Sequence, residues 1–396
     1  MSGGTDVVQR PPDDDITDSL ATELVATAAG YFTGALEDPH VTAKDPAGAY
    51  RSLRPGLADL GWFGLPPEPS LGGIGAPRLT TPLFQVAGRA LVPGPLLEDV
   101  VMGPALVAML QAQRADDVAA RTPFAFVDLA DAGGSMLATG PGLPGSNQPG
   151  LGRARPGRSG LTLADGLLTG TAGPLPHVCN VDWLLVVADS PSGLQLLLLA
   201  AGHPGVDIVP VVTMDPCSTA GNVSFRSPVG AADILATDDV AAELLVTLRS
   251  LARLALSAES HGIAGHLTDI SVSYARQRQQ FGRVTGSFQS VKHILAGMTR
   301  DVLALGNLVA AVASRLPADP QSMAMWCAIA KSHASQIAVK TAAAALQVHG
   351  GIGFTEEHSL QLYYKRALIL ESRFGQPTEL NTLIGASRIT GQPLVF

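Results

Sequence analysis

The chain of 396 residues is rich in apolar residues and poor in charge. Hydrophobic residues make up 46% and charged residues 15%, which leaves ample apolar material to bury, and the length predicts two or three domains. A formal net charge of −8, without a Lys/Arg-rich run, argues against a nucleic-acid-binding surface. The three cysteines lack metal-ligand spacing and are too few for a disulfide framework, so we expect no metal site.

The amino-terminal segment is polar and gives no sign of a targeting sequence. Residues 1–18 lack a basic stretch followed by an apolar run, so no signal peptide is predicted. The apolar runs, such as Leu196–Ala201, are far too short to span a bilayer. We therefore expect a cytoplasmic protein without membrane insertion.

Helical periodicity dominates the first part of the chain. A first helix is predicted to begin at Thr17 or Asp18, either of which can cap it, and to end near Ala29, ahead of a glycine. A second is predicted over Ala49–Leu60, where apolar residues recur at three- and four-residue spacing. These elements predict an N-terminal helical domain over residues 1–121.

Short Leu- and Val-rich runs, separated by Gly and Pro, follow this helical part. They predict a small β domain over residues 122–237. Within it, the Gly/Pro/Arg-rich residues 140–160 are predicted to form a loop. The predicted strands are 166–171, 181–187, Leu194–Ala201 and Val206–Val212.

Long, Ala-rich helical segments occupy the remainder, residues 238–396. Several helices in series with short connections predict a helical bundle. The predicted helices are Val240–Thr268, Asp269–Arg278, Ser287–Arg315 and Ser322–Val348.

The first motif in this part is Arg278-Gln-Gln-Phe281-Gly, placed where a helix gives way to a loop. A guanidinium there can make a bidentate contact with a phosphate, and the Phe281 ring can pack against a ring system. The alternative is a solvated arginine at a helix end and a core phenylalanine.

The second motif, Gln347-Val-His-Gly-Gly351, ends the Ala-rich helix. Gly350 and Gly351 lack a Cβ, so their backbone amides can approach a pyrophosphate closely. The same glycines also terminate the helix. Both interpretations can hold together.

At their spacing, and with Gly286-Ser-Phe-Gln289 between them, these motifs resemble the C-terminal part of the acyl-CoA dehydrogenase family. The strings 60–65, 71–75 and 88–95 resemble its N-terminal helical domain. The resemblance implies an α+β fold with an N-terminal helical domain, a small middle β domain and a C-terminal four-helix bundle.

The resemblance also implies FAD as the cofactor. In family members these motifs reach across a dimer interface and hold the adenosine and pyrophosphate of the FAD bound by the partner subunit. The implied cofactor-binding residues of this chain are Arg278, Gln280, Phe281, Gln289, Gln347, Val348, His349, Gly350 and Gly351.

The residues with which a member binds its own flavin are missing. The family opens its middle domain with Thr-Glu-Pro and then Gly-Ser-Asp, whereas this chain has Phe124–Ser135 without Thr-Glu-Pro. The family then places an aromatic-Ile-Thr/Ser triplet against the flavin ring, whereas this chain has Pro174-Leu-Pro176. Proline offers neither the N–H nor the hydroxyl that could hydrogen-bond the ring.

The catalytic base is missing as well. The reaction needs a carboxylate to take the α-proton of a CoA thioester. Most members carry it 27 residues after the motif glutamine, where this chain has Phe374; others carry it 29 residues before the motif phenylalanine, where this chain has Ala252. Glu371, one turn before Phe374, is the weak substitute candidate. The other carboxylates considered, which we interpret as surface or helix-end groups, are Glu259, Glu356 and Glu357.

The chain thus keeps what a family member lends to its neighbour and lacks what it would use itself. This pattern predicts one subunit of a heterotetrameric (α2β2) acyl-CoA dehydrogenase, of the kind that acts on bulky CoA thioesters such as sterol side chains. A homologous catalytic partner would supply the base and bind the acyl-CoA. Two alternatives are a self-sufficient homotetramer with a relocated base and a flavin-free structural relative.

Overall fold

The computed structural model describes residues 12–36, 38–65, 76–110, 123–128, 160–316 and 319–391. Several predicted features lie outside this part of the chain. They are the string 71–75, residues 129–135 that follow the first strand, nearly all of the loop at 140–160, and the domain boundary at 121/122.

The first part is helical, as predicted. A 3₁₀ turn, Trp62–Gly64, and a π-helical turn, Glu98–Met102, connect its helices. The helices are α1 (Pro12–Ala35), α2 (Pro39–Thr42), α3 (Pro46–Asp59), α4 (Pro77–Ala90) and α5 (Gly103–Met109).

Helix α1 is longer than predicted at both ends. It begins before the proposed caps at Thr17 and Asp18 and continues past Ala29 to Ala35. The extension carries Phe32, which is buried and packs edge-on against Trp62, with ring centroids 5.5 Å apart. Burial of this ring offsets the weak helix propensity of the glycine at which the helix was expected to stop.

The middle part is an eight-stranded sheet. Its strands run in the order β6-β7-β3-β2-β4-β5-β8, and β1 pairs in parallel with β4. One side of the sheet buries a Leu- and Val-rich core of its own. The strands are β1 (Phe124–Val127), β2 (Thr162–Ala164), β3 (Leu167–Pro176), β4 (Trp183–Ser190), β5 (Gly193–Ala200), β6 (Val206–Val211), β7 (Ala220–Pro228) and β8 (Ile234–Thr237).

Helices return directly after β8 and form the predicted bundle. Three long helices of 40, 26 and 30 residues are followed by two short helices of 13 and 14 residues, and the first and third long helices pack against each other most extensively. They are α6 (Asp238–Gln277), α7 (Gln289–Ser314), α8 (Pro320–His349), α9 (Leu360–Ser372) and α10 (Pro377–Thr390).

The predicted break between Thr268 and Asp269 is wrong, because α6 runs through it as one helix of 40 residues. The Thr268 hydroxyl donates to the carbonyl of Ala264, 2.8 Å away, and so stays within the helix. The Asp269 side chain turns outward to Arg89, 2.5 Å away, instead of capping a new helix. Neither residue therefore competes with the helical backbone.

Helix α7 is apolar yet little buried. Its length and composition would allow it to cross a membrane, but only 17% of its most apolar window is buried, and Leu303 is 63% exposed. The expectation that the apolar runs are too short to span a bilayer did not identify α7 as a helix of this length and composition, because scattered polar residues interrupt its apolar sequence. One side of α7 therefore remains without a cover within the described chain.

A buried arginine joins the three parts of the chain. Arg366 of α9 pairs with Asp215, which follows β6, and with Glu259 of α6, 3.0 Å away. It also donates to the carbonyls of Val92 and Cys217, each at 3.1 Å. Because its donors reach the N-terminal part at Val92, the β part at Asp215 and Cys217, and α6 at Glu259, Arg366 fixes the packing of the bundle against the other two parts.

Candidate cofactor-donating site

Arg278 stands at the end of α6 and opens a tight hairpin. Its backbone N–H donates to the Tyr274 carbonyl (2.8 Å), its side chain is exposed, and two short strands follow at Gln279–Gln280 and Arg283–Val284. The two turn residues, Phe281 and Gly282, have φ of 53° and 76°. Such a turn suits glycine but strains phenylalanine, so Phe281 is held at a conformational cost.

Phe281 lies on the surface, 92% exposed. The alternative that it is a core residue is therefore wrong for this chain on its own. The Phe281 ring packs edge-on against Phe288, with centroids 6.2 Å apart. The Arg283 guanidinium lies over the Phe288 ring, 4.0 Å from its centroid. Gln289 follows as the first residue of α7, exposed and 2.9 Å from His293.

The glycine turn after α8 is equally open. Gly350 has φ of 66°, a conformation that favours glycine. A Cβ placed on Gly350 or Gly351 would meet no atom within 4 Å. Gln347 is exposed and Val348 half-buried, so this turn presents backbone and one amide side chain to solvent.

Tyr274 brings the two motifs together. Its ring stacks on His349, with centroids 4.5 Å apart, and its hydroxyl donates to the His349 carbonyl at 3.4 Å. Since Tyr274 lies one helical turn before Arg278, the hairpin and the glycine turn belong to one surface. The i, i+4 spacing of Tyr274 and Arg278 is the signal in the sequence that places them on one helix face.

His349 is buried between its neighbours. Burial lowers the pKa of its imidazole, and Nδ1 lies 2.8 Å from the Ala345 carbonyl. A neutral His349 ring held in this way stabilises the glycine turn. Any contact of His349 with a bound molecule would therefore come from its backbone atoms. The whole surface carries a cation, amide side chains and open glycine backbone, which suits the phosphates of a dinucleotide and includes no base.

Both places where the family carries its base are apolar and closed. Phe374 is fully buried with φ of 54°, and its ring stacks on Phe126 of β1, with centroids 6.0 Å apart and planes 13° from parallel. Ala252 is fully buried in the middle of α6. Phe126 belongs to the segment where the family has Thr-Glu-Pro. The two segments that differ from the family pattern, around Phe126 and around Phe374, therefore pack against each other.

Two buried cations hold the turn that carries Phe374. The Arg253 guanidinium donates to the Phe374 carbonyl at 2.9 Å. The Lys331 ammonium donates to the carbonyls of Glu371 (3.3 Å) and Gly375 (3.5 Å). The turn is therefore fixed through its backbone.

The substitute carboxylates differ in their surroundings. Burial raises the pKa of the half-buried Glu371, and Lys331 opposes this. The interpretation of Glu259 as a surface group is wrong, because it is buried and bound to Arg366. Glu356 and Glu357 are exposed after the glycine turn. Among the described residues, no group of three His, Cys, Asp or Glu could hold a metal.

Comparison with known proteins shows which family model and which proteins this chain resembles. Residues 245–389 match the family model described as acyl-CoA dehydrogenase, C-terminal domain. The acyl-CoA dehydrogenase FadE34 of Mycobacterium tuberculosis is 30% identical over 359 residues, which cover 88% of this chain and 45% of FadE34. The chain spans about half the length of the curated relatives it matches.

Solved structures agree over nearly the full chain. A chain of the ChsE4-ChsE5 complex from Mycobacterium tuberculosis is 26% identical with a TM-score of 0.75, covering 93% of this chain and 97% of that one. The Tcur3481-Tcur3483 steroid ACAD, 22% identical, shares the fold with a TM-score of 0.75 and covers 95% and 99%. These matches confirm the predicted α+β architecture and the resemblance drawn from the motifs: residues 245–389 match the acyl-CoA dehydrogenase C-terminal domain, and the chain shares the fold of acyl-CoA dehydrogenase structures.

Proposed function

We propose that this chain is a subunit of a heteromeric, FAD-dependent acyl-CoA dehydrogenase and lends its exposed motif surface to the flavin of a homologous catalytic partner. The observation that carries the proposal is the stacked pair Phe126–Phe374, which closes the family's base position while the donor surface around Arg278 stays open. FAD, when bound, accepts the hydride from the β-carbon of the thioester. The partner would supply the carboxylate for the α-proton.

The donor surface fits the adenosine and pyrophosphate half of FAD. Arg278 offers a charge-assisted contact, Gln280, Gln289 and Gln347 offer amides, and Gly350-Gly351 offers backbone without a Cβ in the way. The ring-facing half of a flavin site does not fit this chain's own middle part, where β3 ends in Pro174-Leu-Pro176. The proposed role of this chain is therefore to bind and orient the adenosine and pyrophosphate half of the FAD held by its partner.

The exposed apolar side of α7 is evidence for the proposed partner subunit. An apolar helix of 26 residues that is mostly unburied fits a subunit interface, and obligate interfaces are large and apolar. The similar ChsE4-ChsE5 structure is that of a complex. We propose a cytoplasmic α2β2 assembly acting on a bulky CoA thioester such as a sterol side chain.

Expression with and without a homologous partner tests the proposal. We expect the chain alone to be colourless or insoluble and the co-expressed complex to show flavin absorbance and dehydrogenase activity. A yellow, active homotetramer would instead establish the self-sufficient enzyme. Absence of flavin with every homologous partner would establish the structural relative.

Flavin stoichiometry gives a sharper expectation. Each heterodimer should hold one FAD, so an α2β2 tetramer should hold two, because this chain's own site is closed. Light scattering gives the mass of the complex, and absorbance after denaturation gives the flavin. Four FAD per tetramer would show that this chain also binds one for itself.

Glu371→Gln should leave turnover of the assembled complex within a few-fold. A general base contributes roughly 10²–10⁴ in rate, whereas Glu371 lies half-buried near the end of α9, where its backbone carbonyl accepts from Lys331. Steady-state turnover with flavin content measured in parallel checks this. Glu356→Gln serves as the exposed control, and a loss of about 10² or more confined to Glu371→Gln would make it the base.

A further inference from the structure

A groove of about 810 Å³ follows the C-terminal half of α6, with α4 as one wall and α7 as the other. The volume falls within the range of small-molecule sites. Neither Phe374 nor Ala252 lines the groove, and neither does any residue of the donor surface. Its apolar lining consists of Val25, Pro82, Val86, Val272, Val302 and Leu303.

His261 presents an unused acceptor at one end of this groove. Burial and the charge of the neighbouring Arg89 lower the pKa of its imidazole, so the ring is neutral and has one donor and one acceptor nitrogen. Nδ1 is buried and has no hydrogen-bond partner among the described residues, so the bond to the Val302 backbone is donated by Nε2. Gly306 makes room for Nε2, because a Cβ on that glycine would lie 2.8 Å from it. Nδ1 is therefore an acceptor that a ligand donor can satisfy.

Arg276 presents a cation at the other end of the groove. Its side chain is exposed and forms no ion pair with any residue that the structure describes. Arg89, the other arginine in the lining, pairs with Asp269 at 2.5 Å, so these two charges offset each other. The groove is therefore net positive in a chain whose formal net charge is −8, which favours an anionic ligand.

The distance between these two ends sets the length of the ligand. From His261 to Arg276, α6 rises roughly 22 Å at about 1.5 Å per residue. Between them Gly265 keeps the floor of the groove low, since its Cβ would lie 3.0 Å from Arg89 Nη1 and 4.0 Å from Val302 Cγ1. With C–C bonds of about 1.5 Å, an extended chain of 16 carbons covers this span.

We propose that this groove binds an elongated apolar molecule with an anionic group at one end and a hydrogen-bond donor at the other. Arg276 binds the anion, the valine-lined middle contacts the hydrocarbon, and His261 Nδ1 accepts from the far donor. The apolar walls provide affinity, whereas the two polar ends select the length of the ligand and the chemistry of its termini. The groove uses neither flavin nor a base, so the proposal does not depend on the proposed function.

Three probes of matched length test the proposal on the full chain, purified alone or in its complex. 16-Hydroxyhexadecanoate carries both end groups, hexadecanoate lacks the hydroxyl, and methyl 16-hydroxyhexadecanoate lacks the charge. Ligand-observed NMR titration, below the concentration at which each probe aggregates, measures the three affinities. 16-Hydroxyhexadecanoate should bind at least about threefold tighter than either of the others, since a neutral hydrogen bond or an exposed ion pair is worth roughly two- to tenfold in affinity.

Two variants separate the contributions of the two ends. His261→Phe should abolish only the preference for the hydroxyl, and Arg276→Gln should abolish only the preference for the free carboxylate. A structural defect would instead lower all three affinities together. Arg226→Gln, exposed on β7, is the matched control and should bind all three probes as the unmodified chain does.

A second pair of variants keeps the test decisive if His261→Phe does not fold. Val272→Trp fills the middle of the groove and leaves both ends in place, so all three probes should be lost. Val209→Trp, on β6 and 51% exposed, is the matched control and should bind as the unmodified chain does. Equal affinity for the three probes in the unmodified chain, no binding of any probe, or binding that survives Val272→Trp would overturn the proposal.

Discussion

Replacing Arg366 with alanine should lower the free energy of unfolding by about 3–5 kcal/mol. The change leaves the carboxylates of Asp215 and Glu259 buried without their cation. It also removes the donors to the carbonyls of Val92 and Cys217. Although burial alone would lower the pKa of Arg366, the two carboxylates raise it, so the guanidinium is charged at any working pH.

Urea unfolding of the purified chain or complex measures this loss. Arg89→Ala is the matched control, because its pair with Asp269 is exposed and should contribute less than about 1 kcal/mol. Equal midpoints for the two variants would contradict the assigned role of Arg366. The measurement needs no flavin, so it tests the fold apart from the function.

Replacing Arg278 with alanine should weaken FAD binding by the assembled complex about 10- to 100-fold. The variant removes one charge-assisted contact, worth on the order of 1.5–3 kcal/mol. The backbone of the hairpin should persist, because its bonds to Tyr274 and Thr285 use main-chain atoms. The effect should therefore appear in flavin affinity and leave subunit folding intact.

Flavin content after dialysis, with the apparent dissociation constant from fluorescence titration, provides the measurement. Arg226→Ala is the control, since that arginine is exposed on β7, outside both the donor surface and α7. Unchanged FAD affinity in the Arg278 variant would remove this residue from the cofactor site. An equal loss in both variants would indicate a general charge effect.

Sequence reasoning was strongest where periodicity and family spacing agreed. The helical, β, helical order and most element positions could be predicted because long apolar repeats and Gly/Pro punctuation report local structure directly. The ends of α1 and the continuity of α6 could not be predicted from local sequence. Phe32 packs on Trp62, and Asp269 pairs with Arg89 instead of capping a new helix; both contacts join segments that are far apart in the chain.

The candidate site shows the same division. The motif residues could be named from spacing, but their exposure and their shared surface depend on the Tyr274–His349 stack. The absence of a carboxylate at Phe374 was visible in the sequence, whereas the ring that packs on it, Phe126, comes from another part of the fold. Pairing across such distances leaves no local signal.

The length of α6 separates the closed turn at Phe374 from the surface around Arg278. Arg253, which holds the closed base position, lies within α6, and Arg278, at the donor surface, directly follows the last residue of that helix, roughly 38 Å away by the rise per residue. At that distance a substitution at the closed position should leave the donor surface unaltered. Under the proposed function, the two ends of α6 can therefore change in sequence independently of each other.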